Sequence, residues 1–319
     1  MVNPTVISTF AGCGGSSLGY KWAKFNELLA IEWENNAVET FKINFPDIPI
    51  WQKDIKECIG EDILKFCKIK KGELDILDGS PPCQGFSTAG KRKVKDNRND
   101  LFKEFIRLIN ELSPKVFIIE NVSGIVKGKM KGKFIEIITL LKSLNYEVKT
   151  KLMNSMYYEV PQSRQRIIFI GIRKDLNKEP TYPEPLKEII TVKKAWNGLI
   201  NKQERLYPEG KLKSIVSWIK QGEQGSKYHP QKHYFNTIRI CYNKPSPTLL
   251  KTINKKMTMA LHPTIDASIS INEMKRLFTF PDTFQFIGKF EEQWGRMGNC
   301  VPPKLIYHIA NHIKKTILN

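Results

Sequence analysis

The sequence predicts an α/β protein: a mostly parallel, doubly wound sheet with helices on both faces, and a smaller second domain. Three observations predict it. Five apolar runs rich in β-branched residues recur in the first 172 positions, amphipathic stretches separate them, and the pattern stops after Ile172. Near-continuous apolar strands alternating with helices imply a sheet buried on both sides.

The strands are expected at "TVISTF" (5–10), "ELLAIE" (27–32), "ELDILDG" (73–79), "KVFIIEN" (115–121) and "RIIFIGI" (166–172). Helical spacing marks "NNAVETFKINF" and "DLFKEFIRLINEL", the second with Leu101, Phe102, Phe105, Leu108 and Ile109 on one face and Asp100 suited to its N-cap. From Arg173 to Arg239 short mixed segments hold fourteen Lys/Arg against seven Asp/Glu, which reads as a basic lobe. Regular patterning returns at "SINEMKRLFTF" (270–280) and in a final helix over 303–317, where Leu305, Ile306, Ile309, Ile313 and Ile317 line one face. The expected organisation is a first domain over 1–172, a smaller basic domain over 173–238, and a return segment over 239–319 whose last helix packs on the first domain.

Composition narrows the partners. The 319 residues carry 51 Lys and Arg against 32 Asp and Glu, a formal charge of +19. Such a surplus favours a polyanion, because neutralised phosphates release counterions. The six cysteines include no C-x-x-C pair, which argues against structural zinc, and no metal is expected. The chain opens without a secretory pattern, and no apolar run approaches the roughly 18 residues of a membrane span. A cytoplasmic protein with reduced thiols, no membrane contact and a monomeric state is expected.

Two loops carry chemistry. "FAGCGGSSLGY" (10–20) joins the first strand to the first helix, and Gly12, Gly14 and Gly15 let its backbone approach a ligand. Glu32 ends the next strand about 20 residues on, where an acid accepts from ribose hydroxyls. Trp33 offers a flat face to a purine, and Asp54 an acceptor for an adenine amino group. The plain alternatives are core packing for Trp33 and a solvated strand end for Glu32. Together these residues indicate an adenosine-containing cofactor, either a dinucleotide or S-adenosylmethionine.

The second loop, "GSPPCQGFST" (79–88), places Cys83 at the carboxyl end of a strand, the edge where open α/β sheets bind ligands. Its spacing suits neither a zinc deaminase nor another metal site, so a nucleophile is favoured. A thiol of ordinary pKa, about 8.5, needs help to ionise. Glu120 of "IIENV" and Arg164 and Arg166 of "PQSRQR" end or precede neighbouring strands. An acid and guanidiniums around a thiolate suit attack on an electron-poor ring. A structural ion pair is the alternative for Glu120.

With these motifs the sequence resembles the DNA (cytosine-5) methyltransferases over nearly its whole length. "FAGCGGSSLG", "GSPPCQGFS", "ENV", "QSRQR", "PSPT" (245–248), "RLFTFPDTF" (276–284) and "GNCVPP" (298–303) occur in the family's order. The resemblance implies an S-adenosylmethionine-dependent methyltransferase fold. It also implies methyl transfer to C5 of a cytosine flipped out of double-stranded DNA, with S-adenosylhomocysteine as product. In the family, residues matching Cys83, Glu120 and Arg166 attack C6, assist at N3 and contact O2. Phe10, Glu32, Trp33, Asp54, Ile55, Pro82, Leu101 and Asn299 match cofactor contacts. Gln84, Ser87 and Arg98 match positions on the DNA side. A separately acting restriction endonuclease is an expected companion.

Three departures stand out. Ser8 replaces a frequent aspartate, Gly295 and Arg296 replace a basic residue and a glutamine, and "ASIS" (267–270) replaces an Arg-x-Leu-Thr stretch. Rival readings are an RNA methyltransferase of the same chemistry, a silent DNA-binding homologue and a nicotinamide dehydrogenase. The tRNA branch's Cys-Phe-Thr stretch is missing, the catalytic set is intact, and a dehydrogenase leaves the cysteine loop without a purpose.

Overall fold

The computed structural model describes residues 3–82, 100–126, 131–199 and 204–318. In chain order its elements are β1 (Thr5–Thr9), α1 (Gly15–Trp22), β2 (Asn26–Glu32), α2 (Asn35–Asn44), β3 (Ile50–Gln52), α3 (Gly60–Cys67), β4 (Ile76–Gly79), α4 (Asp100–Leu112), β5 (Val116–Val122), α5 (Lys131–Ser143), β6 (Tyr146–Asn154), β7 (Gln162–Ser163) and β8 (Gln165–Arg173). There follow α6 (Val192–Ala195), α7 (Lys211–Ile215), β9 (Ile238–Arg239), β10 (Ser246–Pro247), β11 (Ala260–Leu261), α8 (Ile271–Leu277), α9 (Phe290–Asn299) and α10 (Pro303–Ile313).

The main sheet has seven strands in the order β3-β2-β1-β4-β5-β8-β6. The pairs from β3 to β5 are parallel, whereas β8 runs antiparallel to β5 and β6 antiparallel to β8. Five strands match the expected apolar runs; β3 and β6 do not. β3 has only three residues, and β6 is an edge strand whose "YEVKTKLMN" alternates buried and solvated positions. An edge strand need not be apolar throughout.

Side-chain alternation fills both faces of the sheet. Ile7, Leu29, Ile31, Leu77, Phe117, Ile119 and Phe169 pack in one cluster with Phe102, Phe105, Leu108, Ile109 and Leu112 of α4. The intervening Val6, Ala30, Ile76, Val116, Ile118, Ile168 and Ile170 point the other way and are fully buried. Gly171 pairs with Phe117 across β5 and β8. A Cβ at Gly171 would stand 2.1 Å from the Phe117 ring, so the close approach requires glycine there.

The chain forms two compact units. One comprises Met1–Asn154, Gln165–Glu184 and Ile306–Asn319; the other comprises Ser155–Arg164 and Pro185–Leu305. Residues 239–305, expected as a return segment, therefore cluster with the second unit. The reason is pairing within that unit. β9 lies parallel to β11, β10 lies parallel to β7, and Ile238 N donates to Met259 O at 3.0 Å. α8 in this unit starts at a Ser270–Glu273 capping box. Gly295 lies on α9, where an added Cβ would be in ordinary contact, 3.6 Å from Lys251 O. No helix among the described residues is long and apolar enough to cross a membrane.

Candidate active site

The glycine loop is held by an acid. Phe10 follows β1 with φ 54°, a left-handed conformation that is rare for a bulky residue. Gly12 has φ 56°, and a Cβ there would meet nothing within 4 Å. Conformation, not crowding, therefore requires glycine at this position. At Gly14 (φ 91°) both apply, since a Cβ would fall 2.3 Å from the Phe45 ring. Glu32, only 8% exposed, accepts from Gly12 N at 2.8 Å through Oε2, and from Trp33 N and Glu34 N at 2.9 Å through Oε1. This removes the solvated-end reading of Glu32. The carboxylate braces the loop through three amides, and a carboxylate has about four acceptor directions.

The indole of Trp33 is 69% exposed, which removes its core-packing reading. Asp54 caps a short 3₁₀ turn, its Oδ1 accepting from Lys56 N at 3.0 Å, and Ile55 behind it is buried. Lys53 N donates to Glu32 O at 3.1 Å, which ties the Asp54 turn to the end of β2. Gly15 opens α1, Pro82 is half-buried after β4, and Leu101 is half-buried in the first turn of α4. Asn299 ends α9 in the second unit. Beneath the loop lies a buried polar network that sequence reasoning missed. Tyr20 donates to Asp78 at 3.2 Å and Ser17 to Glu27 at 3.0 Å. Ser8, at the position of the first departure, is fully buried beside them on β1, where its hydroxyl faces the Glu27 carboxyl and favours its charged form. Burial raises both carboxyl groups, Glu27 to about 7 and Asp78 to about 7. The signal was faint: Glu27 shares its run with Glu32, and Asp78 shares its run with Glu73 and Asp75, so neither acid stood out.

The second half of the site lies where β4 and β5 end side by side, Gly79 opposite Ile119. The buried Asn121 donates from Nδ2 to Pro81 O at 3.2 Å, joining the proline turn to the strand end 40 residues later. Its neighbour Glu120 pairs with Arg166, Oε1 to Nε at 2.6 Å, with only 10% and 11% of the two side chains exposed. Burial lowers the pKa of Arg166, and Glu120 opposes that shift. The antiparallel register, Val122 opposite Arg166, brings the guanidinium within reach of the acid. The role of Asn121 was also missed, although it stands inside the quoted "ENV".

Arg164, expected beside the thiol, is engaged elsewhere. It belongs to the second unit and is 2% exposed. It donates to Leu249 O at 3.3 Å and to Gly298 O and Cys300 O at 3.0 Å, with its guanidinium 5.3 Å from the Phe278 ring centre. Alternation along an extended chain sends residues 164 and 166 the same way, but the chain passes from one unit to the other between them. The structure thus gives Arg164 a packing role. Cys83, Gln84, Ser87 and Arg98 lie outside the described residues. No group of three metal-ligating side chains occurs among the described residues.

A braced glycine turn after β1, an exposed indole after β2, and an acid–arginine pair on β5 and β8 beside a proline turn belong to one open sheet. That fold and site define an α/β methyltransferase. The chain belongs to the family of C-5 cytosine-specific DNA methylases, enzymes of DNA cytosine methylation, and matches it over residues 4–315. It is 34% identical to Type II methyltransferase M1.HphI of Haemophilus parahaemolyticus, over 99% of this chain and 88% of that one. It is also 34% identical to Type II methyltransferase M.Sau96I of Staphylococcus aureus, over 97% of this chain and 75% of that one. A crystal structure of a DNA modification methyltransferase encoded within an E. coli prophage superposes with a TM-score of 0.81 at 26% identity, covering 99% and 100% of the two chains. At 18% identity, a DNMT2 mutant of Spodoptera frugiperda (TM-score 0.70, 99% and 100% covered) shares the fold.

Proposed function

We propose that the protein methylates C5 of a flipped-out cytosine within a specific short duplex sequence, with Cys83 as nucleophile. The observation that carries this is the meeting, at adjacent strand ends, of the Pro81–Asn121 hydrogen bond with the Glu120–Arg166 pair. Cytosine C5 is too weak a nucleophile to take a methyl group unaided, and a covalent adduct splits the step in two. The Cys83 thiolate adds to C6, forming a C–S bond, while Glu120 supplies a proton at N3. Electron density then moves to C5, which forms the new C–C bond. Loss of the C5 proton, departure of the thiolate and return of the N3 proton to Glu120 restore the aromatic ring. Asn121 orients the turn that leads to Cys83. Arg166 holds Glu120 in place and stands ready for the base O2.

S-adenosylmethionine, when bound, supplies an electrophilic methyl group. The residues present suit it. Gly12 leaves the loop edge open, Trp33 offers an unburied aromatic face, and Asp54 and Glu32 stand at successive strand ends. Phe10, Gly14, Gly15, Ile55, Pro82, Leu101 and Asn299 complete the proposed set. Gln84, Ser87 and Arg98 are assigned to the DNA. A monomer working apart from a companion endonuclease in the bacterial cytoplasm completes the proposal; the bacterial relatives that the chain resembles are named Type II methyltransferases.

A duplex containing 5-fluorocytosine tests the chemistry, because fluorine at C5 blocks the final elimination. With S-adenosylmethionine the wild-type protein should form a covalent complex and Cys83→Ser none. Equal trapping by both would remove Cys83 as the nucleophile.

A further inference from the structure

We propose that Arg107 of α4 is a positioning residue for the adenine end of the cofactor site. By gripping the turn that carries Asp54 and Ile55, it sets the preference for an adenine base. This rests on the S-adenosylmethionine reading above.

The turn has little structure of its own. It follows β3, a three-residue strand at the edge of the sheet, and is closed by Glu57 N to Asp54 O at 2.9 Å and Cys58 N to Ile55 O at 3.2 Å. On the sheet side Lys53 N holds Glu32 O at 3.1 Å. On the other side the hold comes from a distant helix. Arg107 Nη2 donates to Ile55 O at 3.1 Å and to Cys58 O at 2.9 Å, residues 52 and 49 positions away in the chain.

Helical spacing builds the grip. Glu104, Arg107 and Glu111 stand at i,i+3 and i,i+4 spacing, which puts them on one face of α4. Arg107 Nε donates to Glu104 Oε2 at 2.8 Å, and Nη1 to Glu111 Oε2 at 2.8 Å. The two carboxylates fix the planar fork, and Nη2 is left to meet the turn. Glu111 Oε2 also accepts from Gly60 N at 2.8 Å, at the start of α3, whose N-cap Ile59 offers no side-chain acceptor. A Cβ at Gly60 would fall 2.5 Å from the Glu111 Cβ, so this approach requires glycine. Behind the charged face Phe105, Leu108, Ile109 and Leu112 are fully buried in the sheet's core cluster. An anchored helix thus reaches the segment 55–60 at Ile55 O, Cys58 O and Gly60 N.

Magnitudes separate this role from a stabilising one. The three charged side chains are 26% to 33% exposed, and ion pairs at such exposure add little to stability. The bonds to Ile55 O and Cys58 O fix backbone instead. Ordering one backbone residue at the moment of binding weakens affinity roughly 5- to 30-fold, and a turn held in advance avoids that loss. What the turn presents is the group that selects the base. Asp54 Oδ1 accepts from Lys56 N at 3.0 Å, which sets the carboxylate on the turn. A carboxylate accepts in about four directions, so it keeps capacity for an amino group. Ionised, it has no hydrogen to give a base that shows a carbonyl oxygen in the same place. Adenine is therefore favoured only while Asp54 is held.

The test is calorimetric titration of the intact chain with S-adenosylhomocysteine and with S-inosylhomocysteine, in which a carbonyl replaces the adenine amino group. Wild type should prefer the adenine compound. Arg107→Met should bind S-adenosylhomocysteine roughly 5- to 30-fold more weakly and lose most of that preference. Arg107→Lys keeps a charge beside Glu104 and Glu111 without the two-pronged reach, so it should fold and still lose preference. A purely structural role would lower the melting temperature and the binding stoichiometry while the folded molecules kept the wild-type preference; that outcome would overturn the proposal. Unchanged affinity and preference in Arg107→Lys would overturn it as well, whether or not Arg107→Met folds. So would a wild type that binds both compounds equally. A wild type that binds neither would instead overturn the cofactor reading itself.

Discussion

Arg166→Met removes the counter-charge of a buried carboxylate. The Glu120–Arg166 pair spans 2.6 Å with about a tenth of each side chain exposed, so solvent screens it weakly. Breaking such a pair from one side costs about 3–5 kcal/mol, because the remaining charge stays buried without a partner. Glu120→Gln/Arg166→Met leaves no buried charge and should recover most of the loss, giving a coupling energy of about 2–3 kcal/mol. Hydrogen exchange at β5 and β8 amides reports the stability of this unit separately from the other. Local stabilities would be measured for wild type, both single variants and the double variant. A coupling below about 0.5 kcal/mol would refute the buried-pair reasoning. Glu120→Gln should also slow methyl transfer by about 10²- to 10⁴-fold, the usual worth of a positioned acid; an unchanged rate would leave the pair structural.

The buried carboxyl groups predict a pH effect of definite sign. Glu27 is raised from 4.5 to about 7 and Asp78 from 3.8 to about 7, chiefly by burial. The native state then binds these protons more tightly than the unfolded chain. Their contribution is fully present below about pH 4 and is lost as the pH rises through about 7. Glu27→Gln should flatten that decline by on the order of 3 kcal/mol; denaturation curves at pH 5 and pH 8 with the same slope in both proteins would refute it. Gly171→Ala forces a methyl group onto the Phe117 ring at 2.1 Å and should destabilise by about 1–3 kcal/mol, seen as lost protection in β5 and β8. Duplex binding should weaken steeply between 50 and 200 mM salt, as phosphate contacts require; a flat profile would remove the role of the basic unit.

The sequence by itself determined the sheet, the loops at its edge and the chemistry they suit. Apolar runs must be buried on both sides, and glycine, proline and a strand-end acid have few other uses in those positions. β1, β2, β4, β5 and β8 were therefore legible, as were Glu32 and Glu120. Tertiary structure alone decided which partners these residues keep. Arg164 and Arg166 are chemically identical and two positions apart. Yet Arg166 lies on β8 beside Glu120, while Arg164 is enclosed by three carbonyl groups of the other unit. Asn121 reaches Pro81 because β4 and β5 are neighbours, and Ile238 reaches Met259 because distant segments of the second unit pair. Local pattern reports what a side chain can do. The choice between a guanidinium paired with an acid and one packed among carbonyl groups depends on contacts made across long stretches of chain, and only folding brings those together.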